Sequence, residues 1–260
     1  MKIPPAVRLS LWSIASVTMV LLYGPLLNTA LLSFFRRRGG AIDWQSFSLE
    51  WYGKLLENEE LHRALTNSVI VGFSATVCAL ILGTVFAIYY QNRGNRLRGV
   101  LQALIYLPFV LPPIITGLSL LIFFREAGVS RTLATVTVGH TLFVLALVYK
   151  ITLTRLASLD SDLAEASSDL GATKAQTFRY ITLPGISPAL IASGILSFAL
   201  SFDETLISLF LIGSENTVPI RLWGMMRVGF TPEVNALVTL ILLFSTFLFI
   251  SVAQFLRLQK

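Results

Sequence analysis

Asp203 and Glu204 stand side by side in an apolar stretch, between Leu200 and Leu206. A charge at the middle of a lipid bilayer costs about 2.5–3.5 kcal/mol by insertion scales, so neither acid would be left facing lipid. Two readings stay open. The acids form a buried cap or a hydrogen bond to a neighbouring helix, or at least one faces a polar path across the bilayer. Ser197, Ser201, Thr205 and Ser208 share a helical face with one acid or the other and would make that face polar. As a general acid/base dyad the pair is poor, because neighbours in a helix point about 100° apart. No nucleophile–base pair stands out, which argues against an enzyme. His62 and His140 are far apart, with no metal-ligand spacing. His140 follows Gly139 and reads as a satisfied core histidine ahead of a proton relay. The single cysteine, Cys78, cannot form an internal disulfide. The P-loop, the Gly-x-Gly-x-x-Gly fingerprint, His-Glu-x-x-His and Gly-x-Ser-x-Gly are all missing. The chain therefore has no cofactor site of its own and no route to ATP through a P-loop.

A longer polar cluster precedes the two acids. Asp160 and Asp162 put carboxylates in the first turn of a short helix, which suits its dipole. Asp162 and Glu165 have the spacing of a capping-box variant. Leu163, Ala166 and Leu170 recur at i, i+3 and i+7, one narrow apolar stripe. Gly171 is placed as the left-handed residue that ends the helix. Thr173 and Gln176 form a second capping box, so another helix starts at once. Phe178, Ile181 and Leu183 supply its apolar side, and Pro184 and Pro188 bracket the start of the next apolar run. The spacing predicts two short helices meeting at a glycine corner. Such an element is an amphipathic connector on a membrane surface or a docking element for a partner's groove. Anionic headgroups would repel Asp160, Asp162, Glu165 and Asp169, which favours a protein partner.

The elements that must position these residues are long and apolar. Of 260 residues 55% are hydrophobic and 13% charged, with a mean hydropathy of +0.74. Soluble domains carry about 25% charged residues. Six windows are apolar, at roughly 11–35, 64–90, 99–124, 132–152, 186–212 and 235–256. A bilayer core needs about 20 apolar residues per helix, and lipid leaves backbone polar groups no partner outside a helix. The chain thus reads as an all-α, multi-pass membrane protein of six helices in a single domain, 1–260, with a polar loop at 155–184. The first window is too long for a cleaved signal peptide and reads as a retained signal anchor. The net charge of +6 sits mostly at helix ends, where orientation and headgroups explain it better than nucleic acid does.

Six spans put both termini on one side. That side would hold Lys2, Arg8, Arg93, Arg96, Arg98, Lys150, Arg155, Lys174, Arg179, Arg257 and Lys260. The other would hold Arg36, Arg37, Arg38, Lys54, Arg63, Arg125, Arg131, Arg221 and Arg227. The positive-inside rule favours the first side as cytoplasmic, against the pull of Arg36–Arg38. Trp223, Met225 and Met226, beside Arg221 and Arg227, predict a short re-entrant or interfacial helix: an anchor, a gate, or a contact for a partner. The loop 36–63, with Asp43, Trp44, Phe47, Trp51 and Tyr52, offers aromatics to lipid or to a companion subunit. Pro108, Pro112 and Pro113 interrupt the third window, as a packing kink or as a broken helix lining a cavity.

Residues 165–184 resemble the EAA motif of ABC importer permeases: Glu-Ala-Ala, three residues, Gly, nine residues, Ile-x-Leu-Pro. Glu165, Ala166, Gly171, Ile181, Leu183 and Pro184 match, and Ser167 replaces the second alanine. Further stretches are similar to the spermidine/putrescine-type permeases, in particular the shorter, second permease subunit. They are Phe47 to Tyr52, Leu200-Ser201-Phe202-Asp203-Glu204, the Gly213 loop, Val218-Pro219-Ile220, and Gly229-Phe230-Thr231-Pro232-Glu233-Val234-Asn235-Ala236-Leu237. The resemblance implies the permease fold, with 155–184 as a cytoplasmic coupling-helix hairpin seated in an ATPase subunit, and both termini cytoplasmic in a bacterial inner membrane. It implies a transport subunit, not an enzyme. ATP would be bound by an ATPase dimer, alongside a second permease subunit, a periplasmic binding protein and membrane lipid. Polyamines are the first expectation for the substrate. Aminoethylphosphonate, opines, iron(III) and thiamine belong to related systems. Ser201, Asp203, Glu204, Thr205 and Trp223 are the candidates for the substrate path. A stand-alone secondary transporter or channel is the rival class, but it would need an internal repeat or more spans to enclose a pore, and no repeat is visible.

Overall fold

The computed structural model describes residues 4–38, 41–91, 98–229 and 231–258. Lys2, Arg93, Arg96, Phe230 and Lys260, and the side chains of Arg37, Arg38 and Arg257, lie outside the described residues. The chain falls into two compact units, drawn from Met1–Glu59 with Leu222–Leu248 and from Glu60–Arg221 with Phe249–Lys260.

The first unit opens with α1 (Pro5–Leu32), an apolar helix whose most apolar window is exposed throughout. Beyond it, the loop expected at 36–63 is ordered into an antiparallel hairpin, β1 (Arg36–Arg38) and β2 (Ala41–Asp43), and a short helix, α2 (Glu50–Glu57). Its aromatics pack on one another. Phe34 stacks on Phe47 at 5.5 Å, Phe35 meets Trp44 edge-on at 5.2 Å, and the Tyr52 hydroxyl reaches Ser33 Oγ at 2.6 Å. Arg36 pairs with Glu50, which also takes Lys54 at 2.8 Å. Both cations hold the Glu50 carboxyl below its usual range, Lys54 foremost.

The second unit is built around α6 (Leu133–Ala157). It packs on α9 (Leu183–Asp203), on α4 (Arg98–Val110), on α10 (Leu206–Leu211) and on α5 (Pro113–Glu126). Val136, Val144, Val148 and Tyr149 on α6 are fully buried. Small residues let α3 (Glu59–Gln91) approach: a Cβ added at Gly83 would sit 2.8 Å from Val148 Cγ1.

Six apolar helical regions are present, but not as six straight spans. α1, α3, α6 and the continuous run Lys174–Asp203 are each long and apolar enough to cross a membrane. The third expected helix is two, α4 and α5, bent by 106°. Pro112 and Pro113 remove two consecutive amide donors, and Pro112 disfavours helical geometry at Leu111. The fifth stops at Asp203 and resumes as α10. The sixth is the 27-residue helix α12 (Pro232–Leu258). The expected helix around Trp223 is α11 (Val218–Val228).

Candidate functional site

The polar interruption forms the predicted corner. α7 (Ser161–Asp169) is capped by Asp160, whose carboxylate accepts the Asp162 amide at 3.0 Å. The expected Asp162/Glu165 box is therefore two residues out of register, with Asp162 inside the first turn. Gly171 has φ of +83°, a conformation that favours glycine. Its amide donates to Ser168 O at 2.9 Å, and the Ala172 amide donates to Ser167 O at 3.0 Å. These bonds satisfy carbonyls the helix end would otherwise leave open. α8 (Lys174–Thr177) starts on the Thr173/Gln176 box: the Thr173 amide donates to Gln176 Oε1 at 2.8 Å and the Gln176 amide donates to Thr173 Oγ1 at 3.3 Å. Ser167, the departure from the alanine of the motif, bonds Thr177 at 2.8 Å and ties the two arms together. Leu163 and Leu170 are left 60% and 89% exposed, and Glu165 and Ala166 are exposed beside them.

The second arm does not end before Pro184. A π-helical turn, Phe178–Thr182, joins α8 to α9, and the Leu183 amide donates five residues back to Phe178 O. Proline cannot donate, and a π turn absorbs the resulting change of register. At the base, Arg155 Nε donates to Gly185 O at 2.9 Å. The second arm of the hairpin thus runs on as one continuous helix from Lys174 to Asp203.

At the far end of that helix lie the two acids, and the structure separates them. Glu204 is half-buried, and its Oε1 accepts the amides of Leu206 at 2.9 Å and Ile207 at 3.1 Å. It caps the start of α10. Asp203 is exposed, and among the described residues nothing hydrogen-bonds its carboxylate. Thr205 Oγ1 donates to Asp203 O at 3.3 Å.

The serines are not on the side of Asp203. Ser197 is fully buried, Ser201 Oγ lies 2.8 Å from His140 Nδ1, and Ser208 Oγ lies 2.9 Å from His140 Nε2. Ser201 follows Ser197 by four residues and shares its face, whereas Asp203 lies about 200° round from Ser201. The polar face expected to join Ser201 and Ser208 to the acids is instead the inner face that meets His140. His140 is 1% exposed, the satisfied core histidine expected from its setting. Beside it, Thr135 Oγ1 donates to Leu211 O at 2.9 Å.

Two contacts were invisible in the sequence. The Asn67 amide nitrogen donates to Glu215 Oε2 and to Asn216 O, both at 3.0 Å, and Ser68 Oγ accepts the Val218 amide at 2.8 Å. These pin the turn before α11 to α3. Gly213 passes so close to the Arg131 carbonyl that a Cβ would collide with it. In the first unit, Arg227 lies over the Trp223 ring, 4.2 Å from its centroid, so this tryptophan is already engaged by a cation of its own helix.

Residues 75–259 match the family described as binding-protein-dependent transport system inner membrane component. The chain is 36% identical to a putrescine transport system permease protein of Escherichia coli (strain K12), over 92% of this chain and 88% of that one. It is 34% identical to a spermidine/putrescine transport system permease protein of Haemophilus influenzae, over 86% of this chain and 87% of that one. Among solved structures it shares the fold of a chain from a bacterial ABC transporter that imports the acidic polysaccharide alginate. The TM-score is 0.78 at 13% identity, over 97% and 95% of the two chains.

Proposed function

We propose that this chain, which belongs to the family of binding-protein-dependent transport system inner membrane components and is a permease subunit of an ABC importer, carries polyamines. It is a transport subunit, not an enzyme, and ATP hydrolysis belongs to a separate subunit. The observation that carries the substrate class is the break after Asp203. The last carbonyls of α9 lack intrahelical donors and give that end a partial negative charge. Glu204 occupies the amides of α10, so the partial positive charge there is offset. The Asp203 carboxylate adds a charge that no described residue pairs. A site with this field suits an ammonium group, and the relatives named above are named for putrescine and spermidine.

In this reading Asp203 is the counter-charge of the path, with Thr205 beside it. Glu204 holds the break open, Ser201 braces it from the inner side, and Trp223 serves as an interfacial anchor or a periplasmic gate. The hairpin of Glu165, Ala166, Gly171, Ile181, Leu183 and Pro184 seats in one subunit of an ATPase dimer. Two exposed leucines on a rigid, acid-flanked corner support this docking role. A second permease subunit supplies the other half of the path and the other coupling hairpin, and a periplasmic binding protein delivers the substrate. The chain acts as one permease domain, with lipid against α1 and both termini cytoplasmic. ATP and the loaded binding protein bias the inward- and outward-open states through their different affinities for each.

The test is ATP-driven uptake in proteoliposomes that hold this chain, its ATPase, its companion permease and its binding protein. Uptake of labelled putrescine or spermidine is the expected result. Uptake of aminoethylphosphonate with neither polyamine transported would overturn the substrate class while leaving the permease assignment intact.

A further inference from the structure

We infer that His140 is a positioning residue: it fixes the angle at which α9 and α10 meet, and so the direction in which Asp203 is presented. The inference rests on the reading that Asp203 faces the substrate path. Neither proline nor glycine occurs in the break, whose residues are Glu204 and Thr205. The Glu204 cap is local: it sets where α10 starts, not where α10 points. Direction requires contacts from outside, and α6 supplies them on both sides of the break. His140 Nδ1 meets Ser201, in the last turn of α9, and His140 Nε2 meets Ser208, in the first turn of α10. Thr135 holds the C-terminal carbonyl of α10 at Leu211. Gly139 admits Ile207 and Leu211, since an added Cβ would lie 2.6 and 2.7 Å from their side chains.

Imidazole suits this task better than other polar side chains. It is rigid, and its two nitrogens face different ways, so one ring bridges two helix ends. A neutral ring has one donor and one acceptor, and a serine hydroxyl can match either. Ser201, Ser208 and His140 are all buried, so removing the ring leaves hydroxyls that must turn back to their own helices. The two segments then lose the only side chain described here that bonds both.

The test uses the assembled importer in nanodiscs, with Cys78→Ala as background and Asp203→Cys as reporter. The rate of reaction with a small cationic methanethiosulfonate is compared for the parent, for His140→Phe and for the Ser201→Ala/Ser208→Ala pair. An exposed control, Ser214→Cys, is measured in the same three backgrounds. Both changes are expected to shift the rate at position 203 by about tenfold, the scale of one or two buried hydrogen bonds, and to leave the control unchanged. The serine pair keeps the ring and its volume, so it gives an answer even where His140→Phe fails to assemble. Rates at position 203 within twofold of the parent in the assembled variants overturn the inference. Polyamine uptake by Asp203→Asn is read separately. If uptake stays at the parental rate while labelling shifts, the path assignment fails and the positioning role stands.

Discussion

Replacing Asp203 by asparagine keeps the shape of the side chain and removes its charge. At about 4 Å and an effective dielectric near 20, a carboxylate attracts an ammonium by about 4 kcal/mol. Asp203 is exposed, so solvent and salt reduce this, and about 1.5–2 kcal/mol is a fair share to keep. That corresponds to a loss of about 10- to 30-fold in kcat/KM for uptake. Glu204→Gln should behave differently. An amide oxygen still accepts from Leu206 and Ile207, so the cap survives with a weaker, neutral bond. The assay is uptake of labelled putrescine in proteoliposomes, with co-purification of the ATPase as the measure of assembly. Asp203→Asn should lose uptake and keep assembly. Parental uptake from the double variant Asp203→Asn, Glu204→Gln would refute the reasoning, because no carboxylate would then remain at the break.

At Gly171 a proline cannot reach φ of +83° and cannot donate to Ser168 O, a combined cost of about 3 kcal/mol or more. Gly171→Pro is therefore expected to abolish ATPase co-purification while Gly171→Asn, which tolerates the left-handed region, retains it. Gly139→Val drives a methyl group into Ile207 and Leu211 and should destabilise the second unit by about 1–3 kcal/mol, read as a lowered melting temperature in detergent. The Glu50 carboxyl is held below its ordinary value, so its contribution is present above the unfolded carboxyl range and is lost as pH falls through the lower, folded value. Cleavage by an acid-tolerant protease within 36–58 should rise only once pH drops below the ordinary carboxylate range, and Glu50→Gln should be cleaved faster at neutral pH as well.

The hairpin was legible because its signals are local. A capping box, a glycine at the end of a helix and an i, i+3, i+7 stripe all act within one or two turns, so spacing alone specified the corner at Gly171. The two-residue offset at Asp160 has the same origin: Asp160 and Asp162 are both competent caps, and only the path of the chain leaving α6 decides between them. The apolar windows were legible as helices, but their continuity was not. Proline marked the break at 111–112, yet periodicity does not say whether prolines kink a helix by a few degrees or turn it by 106°. Pro184 argued for a stop, and a π turn, which leaves no mark in hydrophobic periodicity, carried the helix through. The hairpin and α2 at 36–57 were missed because aromatics in a loop satisfy a membrane interface and a small self-packed cluster equally well.

The two acids show where residue-type reasoning reaches its end. A polar residue within an apolar helix must find a partner, but the helix alone does not say which one. Ser197, Ser201 and Ser208 repeat on one face, and an acid two residues away looks like company for them. The better partner lay on another helix: His140 is the only imidazole among the apolar spans, and its two nitrogens match two serines at i and i+7. Once the serines are assigned to His140, the acids divide by exposure. Glu204 is consumed by backbone amides, and Asp203 is left with a charge that no residue described here answers. An unanswered carboxylate at a break in an apolar helix is costly to maintain unless something passing by answers it. On the reading proposed above, a transported cation is what answers it, and the hydroxyl-lined face is the brace that keeps it in place.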